Sequence, residues 1–287
     1  MQLIETVAAM EEARSGLRGA VGLVPTMGAL HEGHLSLVRR ARAGCDHAVA
    51  SVFVNPAQFG PGEDLETYPR DFERDLRLLE AEGVDLVFAP SRDEMYPPGF
   101  DEWVEVAGPL TSRLEGESRP RFFRGVTTVV ARLFRVVRPQ RAYFGEKDAQ
   151  QLRVVRAMAR QERLPVEVIG LPIVREPDGL AMSSRNAYLS PEERAAALVV
   201  PRALDRAREM IERDGVRDAE AVREAVRQLV AGEPLARLDY VSVADDETLA
   251  ELDTVDRPAL VLLAAWVGST RLIDNSRVVP VAARVSR

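Results

Sequence analysis

The feature that most constrains the fold of this chain is an alternation of short apolar runs with amphipathic helical stretches. The runs have the composition of buried strands, and the stretches between them have helical periodicity. The strand-like runs lie at Val21–Pro25, Ala48–Val54, Val84–Ala89, Arg141–Phe144 and Val166–Gly170. Alternating strands and helices favour parallel pairing, because a parallel connection needs a long crossover. The pattern predicts an α/β fold with a doubly wound parallel sheet.

The alternation ends after Gly170, where proline and glycine interrupt the sequence as far as Gly179. Such punctuation is typical of a joint between domains. We therefore expect a first domain over residues 1–174, which binds the ligands, and a smaller α+β domain over residues 175–287, which acts as a lid.

Local signals divide the second domain into helices and strands. Ser190-Pro191-Glu192-Glu193 has the pattern of a capping box and predicts the start of a long helix rich in alanine and arginine. A second helix is expected from about Val216 to Val230. Strand-like runs follow at Leu238–Val243, Leu260–Val267 and Arg271–Asn275. The last two are predicted to form a hairpin at Gly268-Ser269.

Composition excludes several classes of protein. The chain has 287 residues, a formal net charge of −7 and one cysteine. An acidic chain is not expected to bind nucleic acid by neutralising many phosphates, and one cysteine cannot form an internal disulfide. Because no apolar run has the length of a membrane span and the start lacks a signal-peptide pattern, we expect no membrane partner and a cytoplasmic location.

The segment Val24–His34 runs from an apolar strand through a glycine turn into a helix that carries two of the three histidines in the chain. A helix N-terminus attracts phosphate, because its backbone N–H groups are unpaired and it is the positive end of the macrodipole. His31 and His34 are three residues apart and therefore share one face of the helix. Gly33 allows backbone or nucleotide to approach closely. The segment predicts a nucleotide-phosphate site, although solvated histidines after a turn are the alternative.

A zinc site is excluded by spacing. Zinc proteases with a His-Glu-x-x-His helix need histidines four residues apart, whereas His31 and His34 are three apart. Cys45 is the only cysteine, and His47 falls in a predicted strand, so the chain offers no structural zinc pattern.

Lys147 is the only lysine among 38 basic residues, and the other 37 are arginines. Arginine and lysine exchange readily on solvated surfaces, but not where a compact ammonium must reach a phosphate. Lys147 also lies in a turn after a strand, in Tyr143–Asp148. We therefore expect it to contact phosphate.

The segments Thr26–His34, Asn55–Phe59 and Gly145–Asp148 each follow a predicted strand. Ligands of doubly wound sheets bind beyond the carboxyl ends of the strands, so the three segments are expected to form one site. The loop Leu180–Asn186 carries two serines and an arginine, which could donate to polyphosphate. By composition alone an ordinary turn is the better interpretation of that loop.

Two motifs carry a resemblance to a known superfamily. His31-Glu32-Gly33-His34 resembles the HIGH signature of class I nucleotidyl-transferring enzymes, whose fold is Rossmann-like, and Met182-Ser183-Ser184-Arg185 is similar to their KMSKS-type loop. The longer segments are more specific as a set and resemble the pantoate–β-alanine ligase family. Those segments are Val24–His34, Phe53–Phe59, Phe144–Gln151 and Leu180–Asn186.

The resemblance implies an AMP-forming ligase of coenzyme A biosynthesis. In this family pantoate reacts with ATP to give pantoyl adenylate and pyrophosphate, and β-alanine then displaces AMP to give pantothenate. The implied catalytic residues are His34, His31, Lys147 and Arg185, with His34 as the candidate proton donor. The implied ATP-binding residues are Thr26, Met27, Gly28, Ala29, Leu30, His31, Glu32, Gly33, His34, Gly145, Glu146, Lys147, Asp148, Val174, Met182, Ser183, Ser184 and Arg185.

The resemblance also implies binding sites for the other substrates. Gln58 matches a position that binds pantoate and β-alanine, and Gln151 matches one that binds pantoate. An amide suits either role, because it can donate to a carboxylate or accept from a hydroxyl. Magnesium is expected on the ATP phosphates, with Asp75 as a possible contact through water.

Some positions depart from the family pattern. Arg74 replaces an acid that some members carry beside Asp75, and Phe122 replaces a common histidine, which excludes a titrating role there. Ala149 replaces an aromatic residue and is expected to alter packing more than chemistry. The resemblance further implies a homodimer formed through the first domain.

Three other functions remain open at this point. The chain could be a cytidylyl- or adenylyltransferase of the same superfamily, which would retain nucleotide in its product. A class I tRNA synthetase is less consistent with an acidic chain that has no evident RNA-binding extension. A nucleotide sensor would bind ATP but release neither pyrophosphate nor AMP.

Overall fold

The protein is described by a computed structural model that covers residues 1–281. It contains two compact units, Met1–Val174 (the first unit) and a second unit that begins at Arg175. Residues 282–287 of the predicted second domain lie outside the described residues. No helix within the described range is both long enough and apolar enough to cross a membrane.

The first unit is built on one parallel sheet in the order β1-β4-β3-β2-β5-β6. Its strands are β1 (Gln2–Ile4), β2 (Val21–Thr26), β3 (His47–Val52), β4 (Leu86–Phe88), β5 (Arg141–Gly145) and β6 (Glu167–Leu171). Its helices are α1 (Val7–Gly16), α2 (Glu32–Gly44), α3 (Phe72–Ala81), α4 (Arg92–Met95), α5 (Pro109–Ser112), α6 (Glu115–Ser118), α7 (Phe122–Val137) and α8 (Ala149–Gln161). The predicted α/β class is confirmed.

Helices cover both faces of this sheet, because alternate residues of a strand point to opposite faces. Leu23 of β2 belongs to a core cluster with Phe134 of α7 and Met158 of α8. Its neighbour Val24 belongs to a second cluster, which includes Val38 of α2 and Leu79 of α3. The central strands are therefore apolar on both faces, as expected for a buried parallel sheet.

The order of the strands creates a switch point beside β2. The chain proceeds from β2 to β3 on one side, whereas β5 pairs with the other side of β2. A crevice forms at such a point because the two flanking connections leave in opposite directions. Thr26 and Gly145 end the strands on either side of it.

Some strand bounds differ from the sequence-based expectation. β1 was not predicted, since three residues are too few to show periodicity, and its pairing with β4 stabilises it. The strand predicted over Ala48–Val54 ends at Val52, because Asn55 already caps a 3-10 turn at Pro56–Gln58. The strand predicted over Val84–Ala89 is shorter, because the Val84 N–H still bonds to the Leu79 carbonyl of α3.

The second unit packs helices against an antiparallel sheet in the order β7-β8-β9. Its elements are α9 (Pro191–Ala196), α10 (Val199–Glu212), α11 (Ala219–Ala231), β7 (Ala236–Asp245), β8 (Ala259–Val267) and β9 (Thr270–Val278). The predicted hairpin at Gly268-Ser269 is confirmed, and Gly268 has the positive φ (55°) that its tight turn needs.

The expectation of one long helix after Ser190 is wrong. A turn at Ala197-Leu198 separates α9 from α10, and Pro201 lies in the first turn of α10. Proline fits a first turn, where its missing N–H costs no helical hydrogen bond, but it would break a continuous helix. The next helix begins at Ala219 rather than Val216, because the Asp218 carboxylate caps the N–H groups of Glu220 and Ala221.

Candidate active site

The side chain of Thr26 holds the turn after β2 through two hydrogen bonds. The Thr26 hydroxyl donates to the Ser51 carbonyl of β3 at 2.7 Å and accepts from the Gly28 N–H at 3.2 Å. Gly28 has a φ of 82° and Ala29 a φ of 50°. The chain therefore reverses here through two residues in the left-handed region, which glycine adopts without strain.

Asp75 of α3 fixes the same turn from a distance along the chain. Its two carboxylate oxygens accept the N–H groups of Ala29 and Leu30, each at 2.8 Å. A Cβ on Gly28 would lie 2.9 Å from Asp75 Oδ2, so glycine is needed for this approach. Burial raises the pKa of Asp75, and the two N–H donors act in the opposite direction. Asp75 is thus a structural clamp on the turn.

Arg74 supports the turn as well. Its Nη1 donates to the Leu30 carbonyl at 2.9 Å. Arg74 therefore adds a further hydrogen bond to the turn. It also places a positive charge close enough to lower the pKa of His31.

His31 and His34 form a reciprocal capping box at the start of α2. His31 is the N-cap, and its Nδ1 accepts the Gly33 N–H at 3.1 Å. His34 Nδ1 accepts the His31 N–H at 3.3 Å. The ring centroids are 4.1 Å apart. A Cβ on Gly33 would lie 2.8 Å from the His31 ring, so glycine lets the ring approach the helix in this orientation.

The capping bonds determine which protons the two rings offer. Burial, then the positive charge of Lys147, lowers the pKa of His31 to about 4. Burial, with smaller contributions from His31 and Lys147, lowers the pKa of His34 to about 3. Both rings are therefore neutral at pH 7. Since each Nδ1 accepts a hydrogen bond, each neutral ring carries its proton on Nε2, and that N–H is a donor for a ligand.

Lys147 lies on the other side of the switch point, in the 3-10 turn Glu146–Asp148 between β5 and α8. Its charge reaches both histidines and lowers both pKa values. Asp148 of the same turn raises the pKa of His31. A Cβ on Gly145 would meet no described atom within 4 Å. The turn thus brings a cation to the histidine pair and leaves open space beside β5.

Gln58 comes to the same turn from the segment after β3. Its Nε2 lies 3.0 Å from Met27 Sδ, which joins the segments Asn55–Phe59 and Val24–His34. Asn55 is 1% exposed, and its Nδ2 lies 3.1 Å from Gln58 Oε1. Helix α7 closes this region, because a Cβ on Gly125 would lie 2.2 Å from the Ala57 carbonyl oxygen. Asn55 carries no separate signal in the sequence beyond its place before Pro56.

Gln151 and its neighbour Gln150 have different environments on α8. Gln150 is 4% exposed; it donates to the carbonyls of Leu110 and Arg113 and accepts the Glu115 N–H. Gln151 is half-buried and makes no side-chain hydrogen bond among the described residues. Gln150 therefore holds the α5–α6 region, whereas the Gln151 amide is available to a ligand.

An ion pair that sequence reasoning missed fixes the segment after Gln58. The Arg119 guanidinium donates to Glu63 at 2.8 Å and to the Gln58 carbonyl at 3.1 Å. Its carbon lies 3.9 Å from the centre of the Phe122 ring. Phe122 is thus a stacking surface for the Arg119 guanidinium.

The serine–arginine loop belongs to the second unit. Ser183 caps a 3-10 turn at Ser184–Tyr188 by accepting the Arg185 N–H at 3.3 Å. Arg175 forms an isolated bridge with Ala181 just before this turn, and its guanidinium pairs with the buried Asp274 of β9 at 2.7 and 3.0 Å. Met182, Ser183, Ser184 and Arg185 are all half-buried, and Val174 is the last residue of the first unit.

The site has no ready-made metal cage. Among residues 1–281, no group of three or more His, Cys, Asp or Glu side chains could hold a metal ion. The third histidine, His47, is placed at the start of β3, where its Nε2 lies 2.9 Å from the Arg18 carbonyl oxygen. His31 and His34 are neutral N–H donors beside a lysine.

Comparison with known proteins identifies the family of this chain. The family model described as pantoate-beta-alanine ligase matches residues 2–277. The pantothenate synthetase of Roseiflexus sp. (strain RS-1) is 60% identical over 275 residues, which cover 96% of this chain and 98% of that protein. The crystal structure of pantothenate synthetase from Thermus thermophilus matches with a TM-score of 0.93 and 53% identity, covering 98% of this chain and all of that one.

A third comparison concerns a liganded protein. The pantoate-beta-alanine ligase from Francisella tularensis, complexed with beta-gamma ATP and beta-alanine, matches with a TM-score of 0.81 and 31% identity. The match covers 96% of this chain and 97% of that chain. This chain therefore belongs to the pantoate–β-alanine ligase family.

Proposed function

We propose that this ligase condenses pantoate with β-alanine to form pantothenate, through a pantoyl adenylate that is made at the expense of ATP. The observation that carries the proposal is the pair of neutral imidazoles beside Lys147 at the start of α2. Such an arrangement combines N–H donors, a helix N-terminus and a cation at one point. Those are the groups that stabilise charge on a transferring phosphoryl group.

In the first step, a pantoate carboxylate oxygen attacks the α-phosphorus of ATP. The bond between the α-phosphorus and the oxygen bridging to the β-phosphate breaks, and pyrophosphate leaves. His31 and His34 donate from Nε2 to the phosphate oxygens on which negative charge develops, and Lys147 neutralises part of that charge. Because both rings are neutral, they donate hydrogen bonds without adding positive charge.

In the second step, the amine of β-alanine attacks the acyl carbon of the adenylate. The bond from that carbon to the phosphate oxygen breaks, the nitrogen loses a proton, and AMP leaves with the oxygen that pantoate supplied. Gln58 would hold pantoate and β-alanine, and Gln151 would hold pantoate. Pantoyl adenylate is a reactive mixed anhydride, so a closed site protects it from water.

The remaining ATP contacts follow the family resemblance. Met27 and Val174 would line the adenine pocket, the segments Thr26–His34 and Gly145–Asp148 would surround the phosphates, and the Met182–Arg185 loop would bind the departing pyrophosphate. The second unit would thereby act as a lid on the first. A homodimer through the first domain belongs to the same proposal, and analytical ultracentrifugation measures it directly.

Magnesium would be held mainly by ATP. The residues of the site fit this arrangement, because magnesium prefers phosphate and water oxygens to an all-protein cage. Each Asp75 oxygen accepts one backbone N–H and keeps a further lone pair, so an outer contact through water is compatible with its clamp role. The ion would neutralise charge on the phosphates, while the protein residues orient them.

The proposal is tested by following AMP and pyrophosphate with ATP, Mg²⁺, pantoate and β-alanine, and by omitting each substrate in turn. We expect AMP release to need all three substrates. Exchange of labelled pyrophosphate into ATP should need pantoate but not β-alanine, and pantoate with ¹⁸O in its carboxylate should deliver one ¹⁸O to AMP. Formation of ADP, or exchange without pantoate, would contradict the proposal.

A further inference from the structure

Asn55 uses its full hydrogen-bonding capacity at a buried position beside Gln58. Its Oδ1 accepts the Ala57 N–H at 3.2 Å and the Tyr96 hydroxyl at 2.7 Å. Its Nδ2 donates to the Gly125 carbonyl and to Gln58 Oε1, both at 3.1 Å. An asparagine side chain has two acceptor lone pairs and two N–H donors, so none is left over.

The orientation of the Asn55 amide is set by its two backbone partners. The Ala57 N–H can only donate, so the atom it faces must be Oδ1. The Gly125 carbonyl can only accept, so the atom it faces must be Nδ2. The two assignments agree, and the amide cannot be reversed without losing both bonds.

The fixed Asn55 amide then determines the orientation of Gln58. Because Asn55 Nδ2 only donates, the Gln58 atom in contact with it must be the acceptor Oε1. The Gln58 NH2 group is consequently the other end of the amide, and its Nε2 lies 3.0 Å from Met27 Sδ. One Nε2 hydrogen serves the sulfur, which is a weak acceptor, and the second is available to a ligand.

Tyr96 is the far end of this chain of hydrogen bonds. Asn55 Oδ1 cannot donate, so the Tyr96 hydroxyl must be the donor. Burial raises the pKa of Tyr96, which keeps the phenol protonated. The ring is stacked on Trp103 at 5.9 Å between centroids and meets Phe100 edge-on at 5.2 Å. The hydroxyl is therefore presented to Asn55 by a ring that is itself packed in place.

We propose that Tyr96 is a positioning residue for the acid substrates: through Asn55 it holds Gln58 with the NH2 group toward the ligand, so that this subsite takes a hydrogen-bond acceptor such as a carboxylate oxygen. The inference rests on the proposed function and narrows it, since an amide could otherwise serve as donor or acceptor. Tyr96 follows α4 and is 41 residues from Asn55 along the chain.

The test compares Tyr96→Phe with Tyr143→Phe. Tyr143 is a matched control, because it is a buried tyrosine of the same unit whose hydroxyl contacts Cys45 rather than Gln58. Tyr96→Phe should raise the KM for pantoate about two- to tenfold, the effect of one neutral hydrogen bond, and leave the KM for ATP unchanged. Tyr143→Phe should change neither KM.

Asn55→Ser tests the same chain independently of the tyrosine ring. Serine can still cap the Ala57 N–H, but its shorter side chain cannot reach Gln58. We expect a rise in the KM for pantoate at least as large as that of Tyr96→Phe, again with the KM for ATP unchanged. Thermal unfolding of each variant reports any loss of fold separately.

Two results would overturn the inference. One is an equal effect of Tyr96→Phe and Tyr143→Phe on the KM for pantoate, and the other is a rise in the KM for ATP that matches the rise for pantoate. The AMP assay on the wild-type chain distinguishes the two proposals. If the wild type releases no AMP with ATP, pantoate and β-alanine, the proposed function fails. If it releases AMP and Tyr96→Phe behaves like Tyr143→Phe, only the role of Tyr96 fails.

Discussion

Helices α2 and α9 both begin with a reciprocal capping box, but the boxes are made of different residues. At α9, Ser190 accepts the Glu193 N–H at 3.2 Å and Glu193 accepts the Ser190 N–H at 2.9 Å. At α2, His31 and His34 make the corresponding bonds with ring nitrogens. The exposed serine–glutamate box only satisfies the two backbone N–H groups at the start of α9.

The histidine box caps the same kind of backbone N–H group with ring acceptors, and each ring keeps an N–H donor on its other nitrogen. An imidazole has two nitrogens, and only Nδ1 of each ring is occupied by the helix. Serine and glutamate would leave no N–H donor toward a phosphate, and glutamate would add a negative charge. The comparison teaches that a helix cap becomes a candidate phosphate site when the capping groups are bifunctional and uncharged.

The sharpest way to break the comparison is to keep the cap and displace the donor. His31→Asn and His34→Gln retain acceptors that suit the N-cap and N3 positions. Their amide NH2 is attached to the same carbon as the capping oxygen, so it cannot donate from the position of the imidazole Nε2–H. We expect each to lower kcat for AMP formation about 10²- to 10³-fold, the range for removal of one donor to developing charge. The midpoint temperature of thermal unfolding should stay near that of the wild type.

The matched control is His31→Ala, which removes both cap and donor. It should lose about 1 kcal/mol of helix stability in addition to activity. Full turnover in His31→Asn would mean that the histidine serves only as a cap, and the two boxes would then be equivalent.

Two substitutions of Lys147 test the charge and the shape of its side chain separately. Lys147→Arg keeps the positive charge, so the histidine pKa values should stay low, but the planar guanidinium cannot take the place of a compact ammonium. We expect a fall in kcat of about 10- to 100-fold, as for other misplaced catalytic groups. Lys147→Met should in addition raise the pKa of both histidines, which NMR titration of the imidazoles would detect.

A rise in histidine pKa in Lys147→Arg equal to that in Lys147→Met would contradict the electrostatic part of this comparison. Unchanged kinetics in Lys147→Arg would mean that the single lysine has no special role.

Acid should weaken the fold through the histidine box. The pKa values are about 4 and 3 in the folded chain, against an ordinary value of about 6.5. As pH falls below about 6.5, the unfolded chain takes up protons that the folded chain does not, so stability declines toward pH 4. The midpoint of urea unfolding should fall more steeply in the wild type than in a His31→Asn/His34→Gln double variant. Parallel slopes would show that the rings titrate normally.

The smallest effect on activity is expected at the other box. Ser190→Ala should cost about 1 kcal/mol of stability, the typical value of an N-cap, and leave the KM for ATP and kcat within about twofold of the wild type. Urea unfolding and the AMP assay measure the two quantities. A large loss of activity at normal stability would show that the serine–glutamate box also contributes to catalysis.

Sequence reasoning succeeded where the deciding interactions are local. The strand–turn–helix at Val24–His34 and the Ser190 capping box depend on residues at most a few positions apart, so their pattern is visible in the sequence. It failed at the break between α9 and α10, where a continuous helical composition concealed the effect of Pro201. It also missed β1, because this strand has only three residues and is stabilised by its pairing with β4.

The candidate site divides in the same way. The identities of His31, His34, Lys147 and Gln58 stood out in the sequence through rarity, spacing and resemblance. Their chemical state did not, because burial and the charge of Lys147 set the histidine pKa values, and Asn55 sets which end of the Gln58 amide faces outward. Residues from distant parts of the chain support the site as well. Asp75 holds the turn before His31, Arg119 bonds to the Gln58 backbone carbonyl, and Tyr96 bonds to Asn55. No short motif records such contacts.

The sequence by itself determined the parallel α/β architecture, the segments that meet at the end of the sheet and the family of the chain, since periodicity and motif spacing are local properties. Only the tertiary structure decided that the histidines are neutral Nε2–H donors, that Asp75 clamps their turn and that Tyr96 and Asn55 orient Gln58. The physical reason is that protonation and hydrogen-bond direction depend on burial and on partners brought together by folding.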